Sequence, residues 1–288
     1  MRTITALFVG LGSIGTRHLK NLANLCADRG WTLQADALRS DLTRPLRPGA
    51  AELLHAQYTD LAAAPAHYDM VFITNPTSLH AEALRQVKGR GEALFIEKPI
   101  FSAEQTGLAL DELLPAGQKA YVAAPMRWCG AMLALKDRLP ALPPYCARVI
   151  CSSYLPDWRP GVDYRTVYSA RKALGGGVTI DLIHEWDYLV ELFGVPEKLY
   201  NFKGTYSELE IDSDDLSVYI AKYPTLLAEV HLDYFGRGYR RSIELFCHDG
   251  SYLADFGKGT LTLPDGTVQH YEEDVNRRYE REMEYFVD

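Results

Sequence analysis

The 288-residue sequence has no C-x-x-C pair and no grouping of cysteine with histidine at zinc-ligand spacing, which argues against a structural metal site. Its five cysteines (Cys26, Cys129, Cys146, Cys151, Cys247) are an odd number in a long chain. That makes a disulfide scaffold a poor reading and the cytoplasm the expected compartment. No apolar run approaches the roughly 18 residues of a membrane span. The first ten residues lack a small-residue cleavage signature and read as a strand rather than a signal peptide. Positive charge is scarce as well: 30 Lys+Arg against 38 Asp+Glu leave a formal charge of −8, which disfavours nucleic acid or an anionic membrane as partner. What is present is ordinary for a soluble globular chain, with 47% apolar, 24% charged and 11% aromatic residues. The length suits two domains of roughly 100–200 residues each.

The two parts of the chain have different rhythms. Up to about residue 122, apolar runs alternate with helical stretches. Ile4–Val9, Leu33–Leu38, Tyr68–Thr74 and Ala93–Glu97 read as strands, and Ile14–Asp28 and Leu79–Lys88 as helices. Strands of this kind between helices predict βαβ units and a parallel sheet covered on both faces. Beyond residue 122 the runs Cys146–Tyr154, Leu199–Tyr206, Leu216–Lys222, Leu226–Tyr234, Arg240–Cys247 and Ser251–Asp255 are β-like, several alternating apolar with polar. His248-Asp-Gly250 and Pro264-Asp-Gly266 supply turn signals between such runs. The expectation is an α/β chain. Residues 1–122 form a doubly wound parallel sheet, and residues 123–288 an α+β domain with a largely antiparallel, open-faced sheet and one prominent helix, Asp181–Phe193.

Gly10-Leu-Gly12-Ser13-Ile14-Gly15 is a G-x-G-x-x-G between the first strand and the first helix. There the first glycine permits the tight turn, the second lets backbone approach a pyrophosphate and the third allows close helix packing. This is the dinucleotide-binding fingerprint of a Rossmann domain, and NAD(P) is the expected cofactor. At the end of the second strand, an acidic residue would accept the ribose 2′-OH of NAD, whereas Arg or Ser suits a 2′-phosphate. Asp36 falls inside the strand and the tip reads Arg39-Ser40, which favours NADP(H). The alternative is that Arg39 is a solvated loop residue.

Three stretches resemble the glucose–fructose oxidoreductase / inositol dehydrogenase (Gfo/Idh/MocA) family. They are the glycine loop, Thr74-Asn75-Pro76-Thr-Ser-Leu-His80 at the end of the strand from Tyr68, and Glu97-Lys98-Pro99 at the end of the strand from Ala93. Gly175-Gly-Gly177 followed by Asp181, His184 and Asp187 is similar to the family's second-domain helix. The resemblance implies that Asn75, Pro76, His80 and Glu97 border the nicotinamide side and that Lys98 lies between nicotinamide and substrate. It also implies that Asp181 and His184 face the substrate hydroxyl, with no metal required. The implied reaction moves hydride between NAD(P) and a carbinol or ketone of a sugar, polyol or sugar derivative. Two other readings stay open: a redox-assisted glycosidase that retains its NAD, and a non-catalytic dinucleotide-sensing regulator.

The chemistry is consistent with these residues. Hydride leaves a carbinol only if the hydroxyl proton is also removed, and histidine titrates in the useful range. A lysine ammonium stabilises developing charge, and a neighbouring carboxylate orients the imidazole. At about 100° per residue, Asp181, His184, Glu185 and Tyr188 fall on one helical face, which is read as a cleft-facing stripe or, alternatively, a solvent-facing one. The family places its Asp and His four apart. Here they are three apart, so Glu185 is a possible substitute for Asp181.

The loop from Tyr154 to Lys172 is rich in aromatics and cations. Trp158 and Arg159 are candidates for the cofactor; Tyr164, Arg165, Arg171 and Lys172 for an anionic substrate such as an acidic or nucleotide sugar; and Arg127 for shaping the pocket. The resemblance further implies a homo-oligomer formed through the second-domain sheet, and a chain short at its C-terminus, natively or by truncation.

Overall fold

The computed structural model describes residues 2–102, 105 and 107–288. The chain divides into two units. One comprises residues up to Ala123 together with Tyr279–Asp288, and the other Ala124–Arg278.

The first unit is a six-stranded, all-parallel sheet. Its strands are β1 (Thr3–Val9), β2 (Thr32–Leu38), β3 (Leu54–Tyr58), β4 (Tyr68–Ile73), β5 (Gly91–Ile96) and β6 (Lys119–Val122), in the order β3-β2-β1-β4-β5-β6. This is the doubly wound order whose direction reverses between β1 and β4, and ligands bind beyond the carboxyl ends of strands at such a reversal. The central strands read as unbroken apolar runs because both faces are covered. Ile4, Ala6, Leu7 and Phe8 on β1 and Val71, Phe72 and Ile73 on β4 are all fully buried. Helix α1 (Ser13–Asp28) lays Leu19, Leu22 and Cys26 onto one face. Helices α2 (His80–Gln86) and α3 (Leu110–Leu113) add Ala83, Leu84 and Leu113 to the cluster on the other. Phe8 stacks on Phe72 with centroids 4.4 Å apart, and Phe286 from the end of the chain meets Phe72 and Phe95 edge-on at 5.5 and 5.2 Å. The last ten residues therefore pack with the first unit although they are distant in sequence.

The second unit is built on eight strands: β7 (Cys146–Tyr154), β8 (Lys198–Gly204), β9 (Leu216–Lys222), β10 (Leu227–Asp233), β11 (Phe235–Cys247), β12 (Gly250–Asp255), β13 (Thr260–Thr262) and β14 (Val268–His270). Their order is β14-β13-β12-β11-β7-β10-β9-β8. Every pairing is antiparallel except β7 with β10. Both turn signals fall at hairpins: Cys247 pairs with Gly250 across a two-residue loop, and Gly266 takes φ +84° between β13 and β14. One face of the sheet carries Ala147, Val149, Cys151, Ala228, Val230, Leu232, Ile243 and Leu245 into the core with helix α4 (Gly130–Arg138). Asp233 departs from the alternation. It is 2% exposed because its Oδ1 accepts the backbone N–H groups of Phe235 and Gly236 at 3.1 and 2.7 Å.

The single helix expected over Asp181–Phe193 is two helices, α5 (Val178–Asp181) and α6 (His184–Phe193), separated by a turn at Leu182 and Ile183. Within α6 a sorting of faces by polarity does not match burial. Glu185, Tyr188 and Leu189 form the buried side of α6 while Val190 is 38% exposed. The final helix, α7, spans Val275–Val287.

Candidate functional site

The glycine loop joins the carboxyl end of β1 to α1. Gly10 has φ +83°, and a Cβ there would sit 2.7 Å from the Asn75 Cα, so only glycine allows this approach of two strand ends. A Cβ on Gly15 would sit 2.7 Å from Thr74 Oγ1, which donates to the Gly10 carbonyl at 2.6 Å. Gly12 differs: a Cβ there would meet nothing within 4 Å. Gly12 is also the N-cap of α1, with no side-chain cap, and Thr16 N–H makes the first helical bond to its carbonyl at 3.0 Å. The N–H groups of Ser13, Ile14 and Gly15 have no carbonyl to reach inside the helix. An open space in front of an uncapped, positive helix end suits a diphosphate. Beside it, the buried Oδ1 of Asn75 has no hydrogen-bond partner among the described residues.

The neighbouring strand ends are braced from within the unit. His80 is 1% exposed, with Nε2 2.9 Å from the Asn75 carbonyl oxygen and Nδ1 3.1 Å from that of Ile100. Burial lowers its pKa below the ordinary histidine value, against the pull of the two carbonyls. His80 therefore ties the Thr74–Leu79 loop to the segment after Lys98 from inside the unit. The Glu97 carboxylate is also turned inward: Oε1 lies 2.6 Å from His18 Nε2, and Oε2 accepts the Lys98 N–H at 3.1 Å. Lys98 is half-buried two residues beyond the end of β5.

At the end of β2, Asp36 is buried and accepts the Tyr68 hydroxyl at 2.8 Å, so it is inside the sheet rather than at the tip. Arg39 and the exposed Ser40 follow Leu38. The Arg39 guanidinium donates to Gln57 Oε1 at 2.7 Å and to the Arg44 carbonyl at 2.5 Å.

In the second unit, a cavity of about 490 Å3 is lined by Ser153, Tyr154, Trp158, Asp181, His184 and Arg241, among others. Two side chains from separate helices, Asp181 ending α5 and His184 opening α6, thus reach one cavity. Asp181 accepts two phenols: Tyr168 donates to Oδ1 and Tyr234 to Oδ2, the latter at 2.5 Å. Trp158 donates its Nε1–H to Ser153 Oγ at 3.0 Å and meets the Tyr234 ring edge-to-face at 5.2 Å. These bonds fix an aromatic wall beside the carboxylate. Neither tyrosine is singled out by the sequence; the one signal is a phenol ending the alternating run Leu226–Tyr234.

Other expected site residues are engaged elsewhere. Glu185 is fully buried and takes Arg241 in a two-point pair at 2.6 and 3.2 Å, so its carboxylate faces β11 and does not stand in for Asp181. Arg127 forks onto Asp187 at 2.6 and 2.9 Å and reaches Glu191 at 2.7 Å, so it clamps α6. On the Tyr154–Lys172 loop, Arg165 binds Asp163 and Glu210, and the Tyr164 hydroxyl accepts the Glu210 N–H at 3.2 Å. Arg171 lies 3.9 Å from Asp212, whose carboxylate also accepts the Lys172 N–H at 2.7 Å. Of that loop's candidates Trp158 lines the cavity, whereas Arg159, Tyr164, Arg165, Arg171 and Lys172 do not. Among the described residues, no group of three or more His, Cys, Asp or Glu side chains is placed to hold a metal ion. No helix among them is long and apolar enough to cross a membrane.

Residues 4–123 match the model of an oxidoreductase family with an NAD-binding Rossmann fold, Gfo/Idh/MocA. An uncharacterised oxidoreductase of Bacillus subtilis (strain 168), YrbE, is 27% identical over 110 residues, 38% of this chain and 32% of that one. The match thus spans about a third of that relative's length. Among solved structures, an oxidoreductase from Agrobacterium radiobacter in complex with NAD+, L-tartaric acid and magnesium superposes with a TM-score of 0.79 at 16% identity, covering 99% of this chain and 87% of that one. A myo-inositol 2-dehydrogenase from Lactobacillus plantarum gives a TM-score of 0.75 at 20% identity, covering 99% of this chain and 88% of that one. At these identities the likeness is one of fold.

Proposed function

Through residues 4–123 the chain belongs to the Gfo/Idh/MocA oxidoreductase family, and from that premise we propose that it is an NAD(P)-dependent dehydrogenase or reductase acting on a carbinol or ketone of a sugar, polyol or sugar derivative. The observation that carries this reading is the convergence of His184 and Asp181 on one aromatic-walled cavity. The cyclic polyol named for the Lactobacillus plantarum neighbour points the same way. Of the loop cations considered for an anionic substrate, Arg165 is paired with Asp163 and Glu210 and Arg171 lies beside Asp212.

When bound, the cofactor supplies the hydride acceptor or donor. Gly12 and the N–H groups of Ser13, Ile14 and Gly15 hold its diphosphate, and Asn75 and Pro76 border its nicotinamide end. Arg39 and Ser40 would meet the adenosine ribose, and a cation and a hydroxyl directly after β2 favour NADP(H). His184 removes the hydroxyl proton during oxidation and returns it during reduction. Asp181, fixed by two phenols, presents its carboxylate to the cavity that His184 also lines. Lys98 contributes positive charge at the nicotinamide end. Trp158 offers flat apolar surface to the C–H face of a sugar ring.

The open face of the second unit's sheet carries Tyr200, Phe202 and Ile220, which are 62%, 75% and 39% exposed. Pairing of two copies through this face accounts for that apolar surface; a pure monomer by light scattering would reject it.

The function is tested by following reduced nicotinamide while a panel of sugars and polyols is offered with NAD or NADP. Turnover with at least one cyclic polyol or sugar, with NADP preferred, supports the reading. Tight cofactor binding without turnover on any member would overturn it. Arg39→Glu is expected to reverse the cofactor preference.

A further inference from the structure

The turn at Leu182 and Ile183 leaves Asp181 and His184 on different helices, so a continuous helix does not set their relative placement. Asp181 is instead held from two places distant in sequence. Tyr168, 13 residues earlier on the loop before the glycine triplet, donates to one carboxylate oxygen. Tyr234, 53 residues later at the end of β10, donates to the other. An ionised carboxylate only accepts, so both phenols act as donors. Hydrogen bonds to a charged acceptor are shorter and roughly twice as strong as neutral ones. One donor on each oxygen opposes rotation of the carboxylate.

We propose that Tyr168 and Tyr234 are positioning residues for the reaction assigned to this cavity, holding the Asp181 carboxylate in one orientation toward His184 and the substrate hydroxyl. This rests on the reading of the cavity as the substrate site. Three observations support it. Tyr234 is fully buried and Asp181 is 8% exposed, so the bond between them is shielded from water. Burial and the Asp181 charge push the pKa of both tyrosines well above the ordinary value, which keeps them protonated as donors. The adjacent Glu185 is held in a different way, by the Arg241 guanidinium. The two phenols on Asp181 are neutral donors, and neutral donors orient a charge without cancelling it. Among the described residues, the Arg159 charge also acts on Tyr168 and the Asp214 charge on Tyr234.

The test compares Tyr168→Phe, Tyr234→Phe and the double variant with Asp181→Asn and His184→Ala in the full chain. Phenylalanine keeps each ring, including the one at 234 that packs on Trp158, and removes only the donor. Each single change is expected to lower kcat roughly tenfold, the worth of one charge-assisted hydrogen bond, with KM nearly unchanged and dinucleotide affinity intact. A readout independent of turnover is the infrared carboxylate band of Asp181, isolated as the difference between wild type and Asp181→Asn. That band is expected to shift in each phenylalanine variant. An unmoved band, or a double variant with wild-type kcat while His184→Ala is inactive, overturns the positioning role alone. Full activity in His184→Ala overturns instead the reading of the cavity.

Discussion

Glu185→Ala removes one partner of a pair that the fold has taken out of water. The Glu185 side chain is 0% exposed and that of Arg241 13%, with the guanidinium bonded to both carboxylate oxygens. Alone, the largely buried Arg241 charge would be left at the cavity wall without the carboxylate that binds two of its nitrogens. Breaking a buried pair in this way costs about 3–5 kcal/mol. The second unit runs from Ala124 to Arg278, a size at which each kcal/mol lowers the melting temperature by roughly 2–4 °C. The expected fall is therefore roughly 6–20 °C. The assay is thermal unfolding followed by tryptophan fluorescence, which reports chiefly on the second unit because Trp128, Trp158 and Trp186 lie there. Replacing both partners, as Glu185→Leu with Arg241→Met, removes both desolvation costs and should restore stability to within about 1 kcal/mol of wild type. If Glu185→Ala melts with wild type, or the double variant is no more stable than the single one, the buried-charge argument is wrong.

Two glycines separated by one residue should behave oppositely. Gly10→Ala forces a side chain into φ +83° against Asn75 and should cost about 1–3 kcal/mol of stability in the first unit, read by denaturant titration. Gly12→Ala meets nothing in the protein, so it should melt with wild type yet weaken reduced-nicotinamide binding roughly tenfold by fluorescence titration, about 1.4 kcal/mol. Equal binding by Gly12→Ala and wild type would remove the diphosphate from that space. Arg127→Ala releases a partly exposed clamp on Asp187 and Glu191 and should cost about 1 kcal/mol of stability without changing KM. A large rise in KM at unchanged stability would return Arg127 to the substrate.

The parallel sheet was legible because its central strands are buried on both faces and so read as long apolar runs, and because the glycine loop marks where the first strand hands over to the first helix. Strands β3 and β6 escaped notice: Leu-His-Ala-Gln-Tyr and Lys-Ala-Tyr-Val lie at the two edges, where short polar segments suffice. The residues that bring chemistry together were less legible. A helical wheel sorted by polarity puts Glu185 with the wet residues, whereas pairing with Arg241 buries it on the side of α6 that also carries Tyr188 and Leu189. Ion pairing is invisible in composition. Arg127, Arg165 and Arg171 read as free cations, yet each finds a carboxylate whose position only the fold determines. The phenols on Asp181 illustrate the same limit, since Tyr168 and Tyr234 are brought to one carboxylate from a loop and a strand end that share no sequence pattern.

The most direct measurement is single-turnover reduction of bound dinucleotide by the best substrate of the panel, compared among wild type, Lys98→Met and His184→Ala at equal cofactor saturation. Loss of the proton acceptor or of the stabilising charge should slow the hydride step by roughly a hundredfold or more while dinucleotide affinity stays near wild type. Hydride transfer at wild-type rate in either variant would show that the reaction does not depend on the side chain assigned to it.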